Sequence, residues 1–130
     1  LLEASASADD PARIIMIGSI DGINVNRLPT FSYGPSKAAV HHLARTLASH
    51  LADRHITCNA IAPGLFPSKM TAFIMKKMER KVVKATPLKR VGRPEDMAGV
   101  AIYLASKASS FVTGTVIPVD GGITGARETL

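Results

Sequence analysis

Arg13-Ile14-Ile15-Met16-Ile17-Gly18 is a continuous β-branched and apolar run, the pattern of a parallel strand covered on both faces. The loop after it, residues 20–31, carries Gly22, Asn24, Asn26 and Pro29. A helix is expected from Ser32 to Arg54, with Ser32 as its cap and Pro35 in the first turn, where backbone donors lack partners. Val40, Leu43, Ala44, Leu47 and Leu51 recur at helical spacing and predict its buried stripe, leaving His41, His42, Arg45 and Ser49 outside. Ile56-Thr57-Cys58-Asn59-Ala60-Ile61 follows at once as a second strand and closes a β-α-β unit, which Pro63-Gly64 ends.

Outward from that unit, Leu1 to Pro11 reads as the end of a helix and a polar loop. Over residues 65–86 the apolar set Met70, Phe73, Ile74, Met75 and Met78 alternates with basic positions. This is the pattern of a covering helix, or of a mobile lid whose soft side chains suit an apolar ligand. Gly92-Arg93-Pro94-Glu95-Asp96 opens a further helix, with Met97, Val100, Ala101 and Leu104 facing inward. Phe111 to Val119 contains a last strand, and Asp120-Gly121-Gly122 a turn. Alternating strands and helices predict an α/β fold with a parallel sheet. Three parallel strands would expose the first as an unpaired edge, so further strands are expected before Leu1 or from another chain.

With 130 residues, 46% of them hydrophobic, the chain is one domain or part of one. No apolar run is long enough for a membrane span, and Leu1-Leu2-Glu3-Ala4 lacks the features of a signal peptide, so a soluble cytoplasmic protein is expected. The single cysteine, Cys58, is expected to pack as a small apolar residue. His41, His42, His50 and His55 have no metal-ligand spacing and read as solvated. The net charge of +6 is concentrated in Lys76, Lys77, Arg80, Lys81, Lys84, Lys89, Arg90 and Arg93, against the single acid Glu79. Such a run is a solvated face or a surface for an acidic or phosphorylated partner. Without interleaved aromatics or a recognisable motif, nucleic acid is not expected.

Ser32-Tyr33-Gly34-Pro35-Ser36-Lys37 carries the chemistry. Four residues is about one helical turn, so Tyr33 and Lys37 share a face. A cation held beside a phenol favours the phenolate, which makes the hydroxyl a usable acid/base. Ser19, at the carboxyl end of the preceding strand, lies where parallel sheets hold their sites.

With Ser19, Tyr33, Lys37, Asn59-Ala60-Ile61-Ala62-Pro63-Gly64, Gly92-x-Pro94-Glu95-Asp96 and Val119-Asp120-Gly121-Gly122 in order, the chain resembles the carboxyl-terminal half of a short-chain dehydrogenase/reductase. Tyr33-Gly34-Pro35-Ser36-Lys37 and Pro63-Gly64-Leu65-Phe66-Pro67-Ser68-Lys69-Met70-Thr71 look most like the 3-oxoacyl-[acyl-carrier-protein] reductases of rhamnolipid biosynthesis. The resemblance implies a Rossmann-like doubly wound sheet, of which residues 1–130 are the carboxyl-terminal, catalytic part. It also implies an enzyme reducing a 3-oxoacyl thioester with NAD(P)H, NADP being expected before NAD. Tyr33 would protonate the carbonyl, Ser19 would orient it, and Lys37 would assist Tyr33 and hold the nicotinamide ribose. Pro63, Gly64 and Leu65 would line the nicotinamide, and the Ser68 hydroxyl would reach the cofactor.

Arg54 matches an arginine that docks carrier protein in bacterial relatives, whereas the position of its usual companion carries Asp10. Acyl carrier protein or CoA is thus the expected carrier of the substrate, and a homodimer or homotetramer the expected assembly of the full-length enzyme. The family's glycine-rich pyrophosphate loop has no counterpart in these residues, which reads as a fragment inactive by itself. Two alternatives stand beside this: a dehydrogenase of a small alcohol, sugar or polyketide ketone, and an oligomer-interface module without catalysis.

Overall fold

A computed structural model describes residues 1–25, 29–69 and 71–126, without the side chains of Ile74 and Met75. The elements run α1 (Leu2–Ser5), β1 (Ala12–Ile17), α2 (Tyr33–Leu51), β2 (Ile56–Pro63), α3 (Ala72–Ala85), α4 (Pro94–Ala105) and β3 (Val116–Val119). Short 3-10 turns cover Ile20–Gly22, Ala52–Arg54 and Lys107–Ser109. The expected Asn26, Met70 and tail positions 127–130 lie outside the described residues.

The three strands form one parallel sheet in the order β1-β2-β3, with Ile17 opposite Ile61 and Pro63 opposite Val119. β2 is the middle strand, and its residues from Ile56 to Ala62 are all buried, as a strand covered on both faces requires. It runs two residues further than its apolar pattern predicts, because β3 pairs with Ala62 and Pro63. Within β2 the Asn59 amide donates to the Val112 carbonyl (2.8 Å) and accepts from the Thr115 N–H (3.1 Å), tying down the segment that leads into β3. Cys58 is a buried packing residue, and burial pushes its thiol up from its ordinary range.

α2 packs on β2 through small residues, Ala44 and Ala48 against Cys58 and Ala60, with Ile14, Met16, Leu47 and Val116 around them. This corrects the expected stripe. Buried on α2 are His41, Ala44 and Ala48; Val40, Leu47 and Leu51 are half-buried and Leu43 is 45% exposed. The helix lies so close to β2 that only small side chains fit beneath it, and the larger ones are displaced to its flanks. His41, expected to be solvated, is thereby 3% exposed, whereas His42, His50 and His55 lie at the surface. A second correction concerns the cap: the Ser32 side chain makes no capping hydrogen bond. Its carbonyl instead accepts from the Ser36 N–H at 3.1 Å.

α4 meets β1 and β2, and its Leu104 is fully buried while Met97, Val100 and Ala101 are half-buried, as the pattern predicts. Its first turn is held by Asp96, which accepts from the Arg93 N–H (2.8 Å) and bidentately from Arg90 (2.6 and 2.9 Å). Arg90 is therefore an anchor of α4 rather than a member of the free basic face. No helix among the described residues is long and apolar enough to cross a membrane, and none of them form a metal-binding cluster.

Candidate active site

β1 ends at Ile17, and Gly18 still donates to the Ile61 carbonyl (2.8 Å) before the chain turns over Ile20–Gly22. That turn rests on the first two turns of α2. A Cβ on Gly34 would stand 3.0 Å from the Asp21 carbonyl oxygen, and one on Gly22 2.6 Å from the Lys37 carbonyl carbon. Such close backbone approach places Ser19, which caps the turn, beside the end of α2 that carries Tyr33 and Lys37.

Ser19 is 8% exposed, and its Oγ accepts from the Asp21 N–H at 3.2 Å. An accepted bond uses a lone pair, so the hydroxyl proton remains to be donated elsewhere. Lys37 reaches back to donate to the Ile17 carbonyl at 3.1 Å, with Nζ 5.6 Å from the centroid of the Tyr33 ring. One turn of helix thus does what the four-residue spacing predicts: it sets an ammonium over a phenol. Both side chains are half-buried at the carboxyl end of the sheet.

Pro63 and Gly64 end the adjacent strand, where Gly64 donates to the Val119 carbonyl at 2.9 Å. A Cβ on Gly64 would meet Asp120 Cα at 2.9 Å, so packing against β3 already requires glycine there. Ser68 is exposed, and its hydroxyl is engaged with Thr71: the two side-chain oxygens are 2.9 Å apart and the Thr71 N–H donates to Ser68 Oγ at 3.1 Å. This turn fixes the start of α3. Leu65 lines a cavity of about 460 Å³ with Phe66, Leu88, Val91, Pro118 and Ile123. Ser19, Tyr33 and Lys37 are not part of that lining.

Polar groups at the cavity's edge are tied to near neighbours. Asp120 accepts from the Gly122 N–H (2.8 Å), the Thr124 N–H (2.8 Å) and the Thr124 hydroxyl (2.6 Å). Burial pushes its carboxyl up, but these bonds outweigh that and hold it below its ordinary value. Asp96 is held down to about 2, first by the Arg90 side chain and then by the Arg93 N–H.

The residue that sequence reasoning missed is His41. Its Nε2 accepts from the Ser19 N–H at 3.4 Å, and burial, assisted by the charges of Arg45 and Lys37, lowers its pKa despite a hydrogen bond to the Gly22 backbone. The available signal was Gly18 and Gly22 bracketing the turn, since a Cβ on either would collide with the imidazole.

A family model described as Enoyl-(Acyl carrier protein) reductase matches residues 2–124. The rhamnolipids biosynthesis 3-oxoacyl-[acyl-carrier-protein] reductase of Pseudomonas aeruginosa is 50% identical over 124 residues, 94% of this chain and 48% of that protein. The galactitol 2-dehydrogenase (L-tagatose-forming) of Cereibacter sphaeroides is 44% identical over 115 residues, covering 85% of this chain and 45% of its own length. Among solved structures, the Pseudomonas aeruginosa RhlG/NADP active-site complex superposes with a TM-score of 0.88 at 49% identity, over 95% of this chain and 51% of that one. The chain therefore spans about half the length of the relatives it matches. The parallel sheet with its helices, the serine at the end of β1 and the Tyr33–Lys37 turn of α2 all fall within the matched residues, and the chain belongs to the short-chain dehydrogenase/reductase family.

Proposed function

We propose that the protein containing this chain is an NAD(P)-dependent oxidoreductase that reduces a 3-oxoacyl thioester to the 3-hydroxy product, with NADP as the preferred cofactor. The observation that carries this reading is the corner itself: Lys37 over the Tyr33 ring, with the Ser19 turn packed on the same two turns of helix. The donor set fits a nicotinamide ribose, because Lys37 gives one of its three N–H donors to the Ile17 carbonyl and keeps two for a diol. When bound, the nicotinamide supplies the hydride. Tyr33 gives its proton to the ketone oxygen, Lys37 stabilises the phenolate left behind, and Ser19 donates to the same oxygen as negative charge develops on it. Pro63 and Gly64 follow Ile61, which pairs with Ile17 just before Ser19, and Leu65 after them lines the apolar cavity, which suits an acyl tail. Ser68 would reach a cofactor only by exchanging its bonds to Thr71.

The thioester's carrier is acyl carrier protein or CoA. Lys76, Lys77, Arg80, Lys81 and Lys84 are exposed on α3 and supply the attraction for an acidic or phosphorylated carrier. Arg54 supports this less, since it faces Glu3 at 3.6 Å, while Asp10 is paired with Arg13 at 2.8 Å. The half-exposed Leu43 on the outer side of α2 favours a homodimer or homotetramer built across that helix. Cytoplasmic residence goes with this substrate class.

The test is turnover of acetoacetyl-CoA by the full-length protein with NADPH and with NADH. Tyr33→Phe should cost roughly 10²- to 10⁴-fold in kcat; wild-type turnover by that variant would end the assignment. A second reading, oxidation of a sugar alcohol, is favoured by the 44% identity to the galactitol 2-dehydrogenase. Galactitol with NAD and crotonyl-CoA with NADPH in the same panel separate ketone reduction from alcohol oxidation and from enoyl reduction.

A further inference from the structure

His41 stands two turns beyond Tyr33 and one beyond Lys37, on the stripe of α2 that faces the end of β1. Its ring is enclosed by glycines. A Cβ on Gly18 would fall on the imidazole, and one on Gly22 would stand 2.8 Å from Cε1 as well as against the α2 backbone. One ring nitrogen, Nε2, accepts from the Ser19 N–H at 3.4 Å, and the Gly22 backbone lies close against the ring. Ser19 is accordingly fixed at three points. Its N–H is held by His41, its Oγ by the Asp21 N–H at 3.2 Å, and its carbonyl by the Gly22 N–H at 3.0 Å.

We propose that His41 is a positioning residue for Ser19: its ring fills the space between Gly18 and Gly22, accepts the Ser19 N–H through Nε2, and so clasps the turn and holds the serine hydroxyl in register with Tyr33 and Lys37 on the same helix. The inference rests on the ketone-reductase reading for its kinetic consequence, and on geometry alone for the clasp. His41 is assigned no contact with substrate or cofactor. Its effect is transmitted through Ser19, and a hydroxyl misplaced by about 1 Å costs on the order of 10²-fold in rate. One helix thus carries both the tyrosine and the residue that accepts the Ser19 N–H.

The clasp works in only one protonation state. An imidazolium has no lone pair to accept the Ser19 N–H, and the neutral tautomer with its proton on Nε2 would point a donor at a donor. The ionisable groups on the surrounding elements are Lys37 and Arg45 on α2, Asp21 in the turn, Cys58 on β2 and Arg13 at the far end of β1. Burial, Arg45 and Lys37 disfavour the charged ring, and the Ser19 N–H aimed at Nε2 selects the Nδ1–H tautomer.

The experiment uses full-length protein labelled with ¹⁵N-histidine, the His41 resonance being assigned by its loss in His41→Gln. At pH 7 the ring should show a protonated Nδ1 and a bare Nε2; a protonated Nε2 or a charged ring overturns the clasp, whatever the protein's substrate. With acetoacetyl-CoA and NADPH, His41→Leu should lower kcat by about 10- to 100-fold with little change in KM. His41→Gln, whose amide oxygen can accept the Ser19 N–H, should recover most of that loss. In a Ser19→Ala background His41→Leu should cost almost nothing more, because the two act as one unit. An equal loss in both backgrounds, or an unchanged kcat, overturns the positioning role. Absence of any ketone turnover by the wild type would remove the proposed function and leave the tautomer measurement to judge the clasp.

Discussion

At the carboxyl end of β1 the chain closes by laying backbone on backbone, with Gly22 against Lys37 and Ala38 and a buried imidazole filling what the glycines leave. At the carboxyl ends of β2 and β3 it leaves an apolar cavity of about 460 Å³. The polar contacts differ in the same sense. In the first corner they cross between elements: His41 to Ser19 spans 22 residues, and Lys37 to Ile17 spans 20. In the second the side-chain bonds are local, Asp120 being satisfied within four residues and Asp96 within six, and it is backbone bonds, Leu88 to Gly121 and Gly92 to Leu65, that join its segments. Side-chain bonds between elements fix one side chain against another, whereas the local ones shape a loop. On the proposed reading the first corner serves positioning and the second capacity, a division suited to placing a carbonyl while admitting a variable apolar tail.

The sharpest way to break this contrast is Gly22→Ala. The new methyl would stand 2.6 Å from the Lys37 carbonyl carbon and 2.7 Å from the Ala38 nitrogen, and helix backbone cannot yield as a side chain can. Denaturant unfolding of the full-length protein should show a loss of about 3 kcal/mol. A loss under about 1 kcal/mol would mean that the turn does not rest on α2.

The second corner should respond in specificity instead. Leu88 borders the cavity but is 64% exposed, so Leu88→Ala should leave stability within about 1 kcal/mol. It should raise KM for a long-chain 3-oxoacyl thioester several-fold, at roughly 0.8 kcal/mol per buried methylene, while sparing acetoacetyl-CoA. Equal effects on both chain lengths would deny the cavity an acyl tail.

The layer order, the three strands and the sharing of a helix face by Tyr33 and Lys37 were legible because each rests on local periodicity. What was not legible depends on the distance between α2 and β2. Hydrophobic spacing put Leu43 inside and His41 outside, but the close approach of the helix admits Ala44 and Ala48 and turns His41 inward, where Gly18 and Gly22 make room. A polar ring on a helix reads as solvated until its partner is known, and that lies in a turn 22 residues away. The charge pattern places Arg90 on a basic face for the same kind of reason: its partner, Asp96, belongs to the next helix.

Acid sensitivity should separate the corners by pH. Both His41 and Asp96 have their protonation disfavoured by folding, so both stabilise the native state more as pH rises. For His41 the contribution is complete above about 6.5 and is lost as pH falls through its lowered pKa. For Asp96 it is complete above 3.8 and is lost as pH falls toward about 2. His41→Gln should flatten the stability profile below neutrality, and Asp96→Asn only the strongly acid limb. Loss of the upper step in Asp96→Asn would contradict the assignment.

The smallest effect expected has the opposite sign, and it sharpens the meaning of the glycines. Gly99 lies inside α4, and a Cβ there would meet nothing within 4 Å. Nothing among the described residues holds that position at glycine, whereas its backbone freedom weakens the helix. Gly99→Ala should stabilise the protein by about 0.5–1 kcal/mol in the same unfolding assay. One methyl group thus distinguishes two kinds of glycine, destabilising where the turn after β1 lies on α2 and stabilising where α4 faces open space. If both substitutions proved neutral, the close packing inferred at the first corner would lose its support, and with it the physical reason for a histidine buried behind Ser19.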